Sequence, residues 1–507
     1  YCHKMLTVRK EAFLSEDHFH DVSGYTNPEE SEHDFFNVGH TSTSVSLACG
    51  LAKARDLNGD KENIVAVIGD GSLSGGEALE GIDFASELES NFIIIVNDND
   101  MSIAENHGGL YKNLKELRES NGTAACNLFK AMGLDYVYLE EGNDIPKLID
   151  TFEKVKDIDH PIVVHIHTQK GKGYKPAEEH KEDWHWCMPF DTETGKSTVS
   201  FDGEDYGQLT CDYLMGKMKK DPKVVAIVAA VPTNIGFTED KRKEAGKQFV
   251  DVGIAEEHAI AMASGIAKNG GKPVFATHSS FMQRTYDQLS QDLCINENPA
   301  TILVNTASIY GMNDVTHLGI YDIPLISNIP NMVYLAPTNK QEYFAMLDWS
   351  IEQDQYPVAI RIPCNGVIST TEDVDTDYSD LNKYQIKISG SNIAILALGD
   401  FFDIGEKLAK AVSEKTGVMP TLINPRYITG LDEELLENLK KDHTTVITLE
   451  DGILDGGFGE KIARFYGPSD VKVYNYGIKK EFLDRYAIED VLKENHLTVP
   501  QILEDVL

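Results

Sequence analysis

The sequence predicts an α/β protein built as three doubly wound domains. Short apolar, β-branched runs of strand length alternate with stretches of helical periodicity, the pattern of parallel sheets covered on both faces. These runs fall into three clusters separated by two polar, turn-rich stretches. The chain has 507 residues, 41% of them hydrophobic and 25% charged, an ordinary globular composition too long for a single core.

In chain order, the first cluster predicts strands over 64–68, 92–96 and 161–165. The second predicts strands over 224–229, 249–252, 273–276, 301–304, 332–335 and 358–362. The third predicts strands over 393–398, 420–423, 445–449 and 471–474, followed by amphipathic helices over 481–507. The stretch 178–197 (EEHKEDWHWCMPFDTETGKS) is polar and aperiodic, and 369–380 (STTEDVDTDYSD) is acidic and rich in Ser and Thr. Both read as linkers, giving domains 1–195, 196–382 and 383–507. No short-period repeat or low-complexity tract interrupts them.

The formal charge is −36. A chain this acidic repels phosphate backbones and anionic lipid, which disfavours non-specific nucleic-acid binding and membrane-surface adhesion. No apolar run reaches the ~18 residues of a membrane helix. Seven cysteines, sparse and without CxxC spacing, predict a reducing, cytoplasmic setting, with no role beyond packing. The sequence opens on Tyr1-Cys2-His3-Lys4 with no initiator Met or targeting pattern, the expected look of a chain numbered from inside a longer one.

Two motifs carry the chemistry. Gly69-Asp70-Gly71-Ser72 ends the first predicted strand, and Asn97-Asp98-Asn99-Asp100-Met101 ends the second. Asp70 and Asn99 are 29 residues apart, the length of one βαβ unit, so both belong at the carboxyl ends of parallel strands, where open α/β sheets bind ligands. A carboxylate, an amide oxygen and a backbone carbonyl are hard ligands suited to Mg²⁺ shared with phosphate oxygens. The glycines let backbone N–H groups approach a diphosphate. Either cluster alone would be a turn; the pair at this spacing favours a metal–diphosphate site. The second motif, Asp251-Val252-Gly253-Ile254-Ala255-Glu256-Glu257-His258, opens an apolar helix over 259–267. Its acids alone would complement a helix dipole.

Together these motifs resemble the 1-deoxy-D-xylulose-5-phosphate synthase family of transketolase-type thiamine-diphosphate enzymes. Asn37-Val38-Gly39-His40-Thr41-Ser42-Thr43-Ser44, Lys170-Gly171-Lys172-Gly173-Tyr174, the segment 278–288 (HSSFMQRTYDQ) and 450–459 (EDGILDGGFG) extend the likeness, in order, across the chain. The resemblance implies diphosphate-binding, pyrimidine-binding and C-terminal domains, with the cofactor between the first two. It implies that Asp70, Asn99 and the Met101 carbonyl hold Mg²⁺, with Gly71 and Ser72 near the diphosphate and His40 and Lys170 on its thiazolium side. Glu256 would meet N1′ of the aminopyrimidine and Phe281 would stack on it. A carboxylate there tunes ring tautomer and basicity, so that the cofactor loses its C2 proton and attacks a ketone or α-keto acid.

Arg284 and His317 would complete the catalytic set, and His185, between Trp184 and Trp186, would be a proton donor. The implied reaction decarboxylates pyruvate or a related donor and adds the two-carbon carbanion to an aldehyde, in isoprenoid biosynthesis, in a cytoplasmic homodimer. A paralogous ketol or acetaldehyde transferase with another, unphosphorylated acceptor is the alternative. A silent partner subunit is disfavoured by the joint presence of Asp70, Asn99, Glu256 and Phe281.

The acceptor side departs from the family pattern. His278 stands at a tyrosine position, Thr306 and Cys364 at two phosphate-binding arginine positions, and Asn313, beside Asp314, at an acidic one. Arg bonds phosphate in a bidentate way, so two losses weaken a phosphate site unless Arg284 or Arg361 substitutes. The family's N-terminal histidine region would precede Tyr1, and its long segment after the second strand is compressed into 104–120. His3 and Lys4 read as a frayed terminus.

Overall fold

The structure, a computed structural model, describes residues 2–200 and 203–507. Its strands form three sheets. The first holds β1 (Val65–Gly69), β2 (Phe92–Asp98), β3 (Asp135–Leu139) and β4 (Pro161–His167), all parallel, in the order β1-β2-β4-β3. The second holds β5 (Val224–Val228), β6 (Phe249–Asp251), β7 (Lys272–His278), β8 (Thr301–Asn305), β9 (Val333–Leu335) and β10 (Val358–Arg361), again all parallel, ordered β6-β5-β7-β8-β10-β9. The third holds β11 (Gln385–Ile388), β12 (Asn392–Ala397), β13 (Thr421–Asn424), β14 (His443–Ile453) and β15 (Lys472–Ile478), ordered β11-β13-β12-β14-β15. Only β11 runs antiparallel.

Near-continuous apolar runs such as Ile93-Ile94-Ile95-Val96 form inner strands because both faces of a parallel sheet are covered. The two strands that the sequence pattern misses are both at sheet edges. β3 is half-buried along most of its length, and the alternating Gln385-Ile386-Lys387-Ile388 of β11 is too short and polar to signal a strand.

One apolar cluster runs from Ile227, Phe275 and Ile302 into Leu396, Val446 and Phe458, so the second and third sheets share a core. The core of the first sheet, around Val45, Ile68, Ile94 and Phe129, is separate. Polar contacts tie it to the second unit. Buried Arg242 reaches Glu105 (2.7 Å) and Glu182 (2.8 Å), and Ile254 N–H donates to Ser74 Oγ (2.9 Å). A joint made of polar contacts rather than shared core leaves room for a cleft.

Two expectations need correction. Lys4 is buried, bonded to Ser23 and to Glu30 (2.6 Å), and His3 contacts Asp34 (2.6 Å), so neither frays. Tyr1 lies outside the described residues. The helices expected over 481–507 begin only at Ile488 (Ile488–Glu494, then Val499–Val506), and residues 481–487 are irregular chain. No helix among the described residues is long and apolar enough to cross a membrane.

Candidate active site

A cavity of about 260 Å³ lies between the first and second sheets. Asp70, Gly71, Ser72, Asn99, Met101, Lys170, His185, Glu256, Phe281 and Arg284 all line it. Of the sequence-derived candidates only His40 and His317 are outside its lining, and both contact Phe281, at ring distances of 5.0 and 5.4 Å.

At the metal end, Asp70 follows β1 and starts a tight turn, Gly71–Ser74. Gly71 is required there: a Cβ would meet Ser102 at 2.9–3.1 Å. Asp70 Oδ2 accepts from Met101 N–H (3.1 Å) and from Asn106 Nδ2 (2.8 Å). Burial and the neighbouring Asp98 carboxylate push the Asp70 carboxyl up to about 7. Asn99 follows β2, and the residue after it, Asp100, has φ +62°. Buried Asp98 holds this turn through Asp100 N–H (3.0 Å), and itself takes His165 Nε2 (2.9 Å) and Arg118 Nη1 (2.5 Å). Arg118 also pairs with Asp100 (2.7 Å), gripping the residues on both sides of Asn99. Lys170 donates to the Ser102 carbonyl (2.5 Å).

At the other end, the second sheet reverses strand order between β5 and β7. Ala229–Val231 after β5 and Phe281 after β7 line the cavity at that switch point, where α/β folds bind ligands. Glu256 is the first residue of the helix Glu256–Lys268 and is buried. Burial drives its carboxyl up to about 7, opposed by Arg284, whose Nη1 lies 3.8 Å away. Arg284 also donates to the Thr41 carbonyl.

Two side-chain oxygens of the cavity residues are buried without a hydrogen-bond partner, Asn99 Oδ1 and Glu256 Oε2. Buried polar atoms are normally satisfied. One orphan suits a metal ligand and the other a proton-bearing ring nitrogen, so these residues fit Mg²⁺ and an aminopyrimidine cofactor. No cluster of three or more His, Cys, Asp or Glu with metal-holding geometry occurs among the described residues.

The acceptor side is rebuilt. His278 Nδ1 and Thr306 Oγ1 are 2.7 Å apart, so the substituted positions bond each other. Cys364 is away from the cavity, donating its N–H to Asp400 (3.0 Å). Arg361 does not substitute for a lost arginine, because it is buried and held by Asp322 and Asp451. His317 packs between Tyr25 (5.3 Å), His40 (5.5 Å) and Phe281, with Nδ1 at Asp314 (3.2 Å). Burial and the neighbouring His317 and Arg284 lower His40 to about 4. Sequence reasoning missed Thr41, Ser102, Ile103, Ala229–Val231 and Ile254 in the lining. Of these, Thr41, inside the His40 motif, and Ile254, inside the Glu256 motif, carried a signal.

Comparison with known proteins finds relatives along the whole chain. The family model described as 1-deoxy-D-xylulose-5-phosphate synthase matches residues 1–127 and 120–168. The transketolase pyrimidine-binding domain matches 205–366 and the transketolase C-terminal domain 382–502. The 1-deoxy-D-xylulose-5-phosphate synthase of Clostridium beijerinckii is 35% identical over 100% of this chain and 87% of its own length. "1-Deoxy-D-xylulose-5-phosphate synthase 1" of Geobacter sulfurreducens is 34% identical over 96% and 82%. Among solved structures, a split-gene transketolase in an inactive β4 tetramer has a TM-score of 0.51 at 22% identity, covering 60% of this chain and 97% of its own. Transketolase from Campylobacter jejuni scores 0.51 at 16% identity, covering 92% and 80%. These two establish the fold, which is of transketolase type. With relatives of this identity matched along its whole length, and with the three domain types in order, the chain belongs to the 1-deoxy-D-xylulose-5-phosphate synthase family.

Proposed function

We propose that this protein is a thiamine-diphosphate- and Mg²⁺-dependent transferase that decarboxylates pyruvate and joins the two-carbon unit to glyceraldehyde 3-phosphate. The observation that carries this reading is the single cavity that gathers Asp70, Asn99 and Met101 at one end and Glu256 with Phe281 at the other. Asp70, Asn99 Oδ1 and the Met101 carbonyl hold the ion. Gly71, Ser72, His40 and Lys170 surround the diphosphate and thiazolium side. When bound, thiamine diphosphate supplies a C2 carbanion and an electron sink.

Glu256, whose carboxyl is raised toward 7 and whose Oε2 is buried without a partner, would meet the aminopyrimidine nitrogen and share a proton with it. Phe281 fixes the ring plane. Arg284, beside Glu256, orients that carboxyl, and His185 in the lining and His317 against Phe281 are the groups assigned to proton exchange. The division at 195 and 382, which falls in the gaps between family matches at 168–205 and 366–382, puts Asp70 and Glu256 in different domains. A cytoplasmic homodimer completes the proposal.

A second reading is favoured by one observation. With Thr306 bonded to His278 and Arg361 locked away, Arg284 is the guanidinium of the cavity lining. This supports an unphosphorylated acceptor. The test is calorimetric titration of dialysed protein with thiamine diphosphate and Mg²⁺, followed by mass spectrometry of products from pyruvate and paired phosphorylated and unphosphorylated aldehydes. Binding without Mg²⁺ dependence sinks the cofactor assignment, and product only from the unphosphorylated aldehyde selects the second reading.

A further inference from the structure

All three domains meet at one irregular loop. It leaves the second sheet after β8 with two residues in the left-handed region, Thr306 (φ +51°) and Ser308 (φ +87°). Its neck closes where Ser308 N–H donates to the Gly319 carbonyl (2.7 Å). The neck has no space for side chains: a Cβ at Gly311 or Gly319 would lie 2.2 or 2.1 Å from the Thr306 carbonyl oxygen. The tip carries Asp314 and His317. On one side it rests on the first domain, with His40 Nε2 2.8 Å from the Thr316 carbonyl and the Tyr25 ring stacked on His317.

The other side of the tip is held by residues 481–486, the irregular stretch of the third domain. Val315 N–H donates to Asp484 Oδ1 (3.1 Å), and Arg485 N–H donates to the Asn313 carbonyl (2.6 Å). Asn313 Nδ2 donates to the Tyr486 carbonyl (3.3 Å), Tyr486 OH to the Ile309 carbonyl (2.9 Å), and Tyr321 OH to the Glu481 carbonyl (2.7 Å). Arg485 sits at φ +45° and its guanidinium reaches the Val22 carbonyl of the first domain. A non-glycine residue keeps such a conformation only where its surroundings over-determine it.

We propose that residues 481–486 are a clamp that sets the position of the His317 loop against the first domain, making Asp484 and Tyr486 positioning residues for the reaction. A loop of this length without secondary structure has many conformations open to it. The clamp selects the one in which His317 meets Phe281 and His40. This gives the third domain, which lines none of the cavity, a part in the chemistry. The proposal rests on the reading that His317 acts in the cleft.

The test uses the full chain loaded with Mg²⁺ and thiamine diphosphate, comparing Asp484→Ala, Asp484→Asn and the conservative Tyr486→Phe. Amide hydrogen exchange over 309–317 should quicken at least tenfold in Asp484→Ala and Tyr486→Phe, with the metal loop 99–106 unchanged. The kcat/KM for the aldehyde should fall about tenfold or more while cofactor affinity stays within twofold. Asp484→Asn keeps an acceptor oxygen for Val315 N–H and should restore most of both losses. Unchanged exchange over 309–317 overturns the clamp, and faster exchange with unchanged kinetics overturns its part in the reaction. His317→Ala separates the two ideas: parent-like turnover there means the assignment of His317 is wrong, whereas the clamp is judged by exchange in its own variants.

Discussion

The metal end of the cleft and the rim around His317 differ in how far apart in sequence their parts lie. Asp70, Asn99, Met101 and Asn106 come from two successive strand ends of one sheet, and β1 and β2 are directly paired. The rim joins Tyr25 and His40 of the first unit, His278 and His317 of the second, and Asp484 to Tyr486 of the third. A site made within one βαβ unit has its geometry fixed by local strand pairing. A rim assembled from three units depends on how those units dock. The difference predicts that changes at the metal end act on cofactor binding alone, and changes at the rim act on the acceptor.

The largest effect should come from Asp70→Ala. It removes the only charged protein ligand assigned to the ion, so Mg²⁺-dependent cofactor affinity should fall at least ~100-fold by calorimetry. An unchanged affinity would remove Asp70 from the metal site. Glu256→Gln, by contrast, should bind cofactor within a few-fold of the parent. Exchange of the C2 proton of bound cofactor, followed by NMR, should slow by roughly 100-fold or more, because the carboxyl acts on proton position and not on the diphosphate.

A smaller loss should follow from breaking the grip on the Asn99 turn. Asp98 and Arg118 do not line the cavity, yet they fix the residues on both sides of Asn99. Groups that orient metal ligands typically contribute ~10–100-fold in affinity, so Arg118→Met should weaken Mg²⁺-dependent binding by about that factor. If it alters aldehyde KM instead, the two ends are not independent and the comparison fails.

At the rim, Thr306→Arg should lower KM for a phosphorylated aldehyde relative to its unphosphorylated partner, by about tenfold at low ionic strength and less in salt. A parent protein that already prefers the phosphorylated aldehyde strongly would show that Arg284 and the rim histidines suffice.

The smallest effect concerns the joint between the second and third units, where Arg361 is surrounded by Asp322, Asp451 and Asp400, with Glu450 nearby. Burial, and then the Asp451 charge, raise Asp400 to about 7, above its ordinary 3.8. The stability this gives is fully present below about pH 4 and is lost as pH rises through 7. Asp400→Asn, which imitates the neutral form, should raise the melting temperature by several degrees at pH 8 and by clearly less at pH 5, because the loss it removes grows as pH rises from about 4 to 7. Equal effects at both pH values would mean that Asp400 is ionised throughout.

The three parallel-sheet units and the inner strands were legible from the residues, because continuous apolar runs can be covered on both faces only in such sheets. So was the pairing of Asp70 with Asn99, since a βαβ spacing brings successive strand ends together whatever surrounds them. The edge strands β3 and β11 were not legible, since an edge needs neither two apolar faces nor length. The burial of Lys4 and the irregular path of 481–487 were not legible either, because the partners that hold them lie tens to hundreds of residues away. Tertiary structure alone decided that Arg361 belongs to a buried acid cluster and not to the cleft, and that Thr306 is tied to His278. It likewise decided that the third unit reaches the His317 loop. Each of these is a choice among partners remote in sequence, and only the docking of whole units makes that choice.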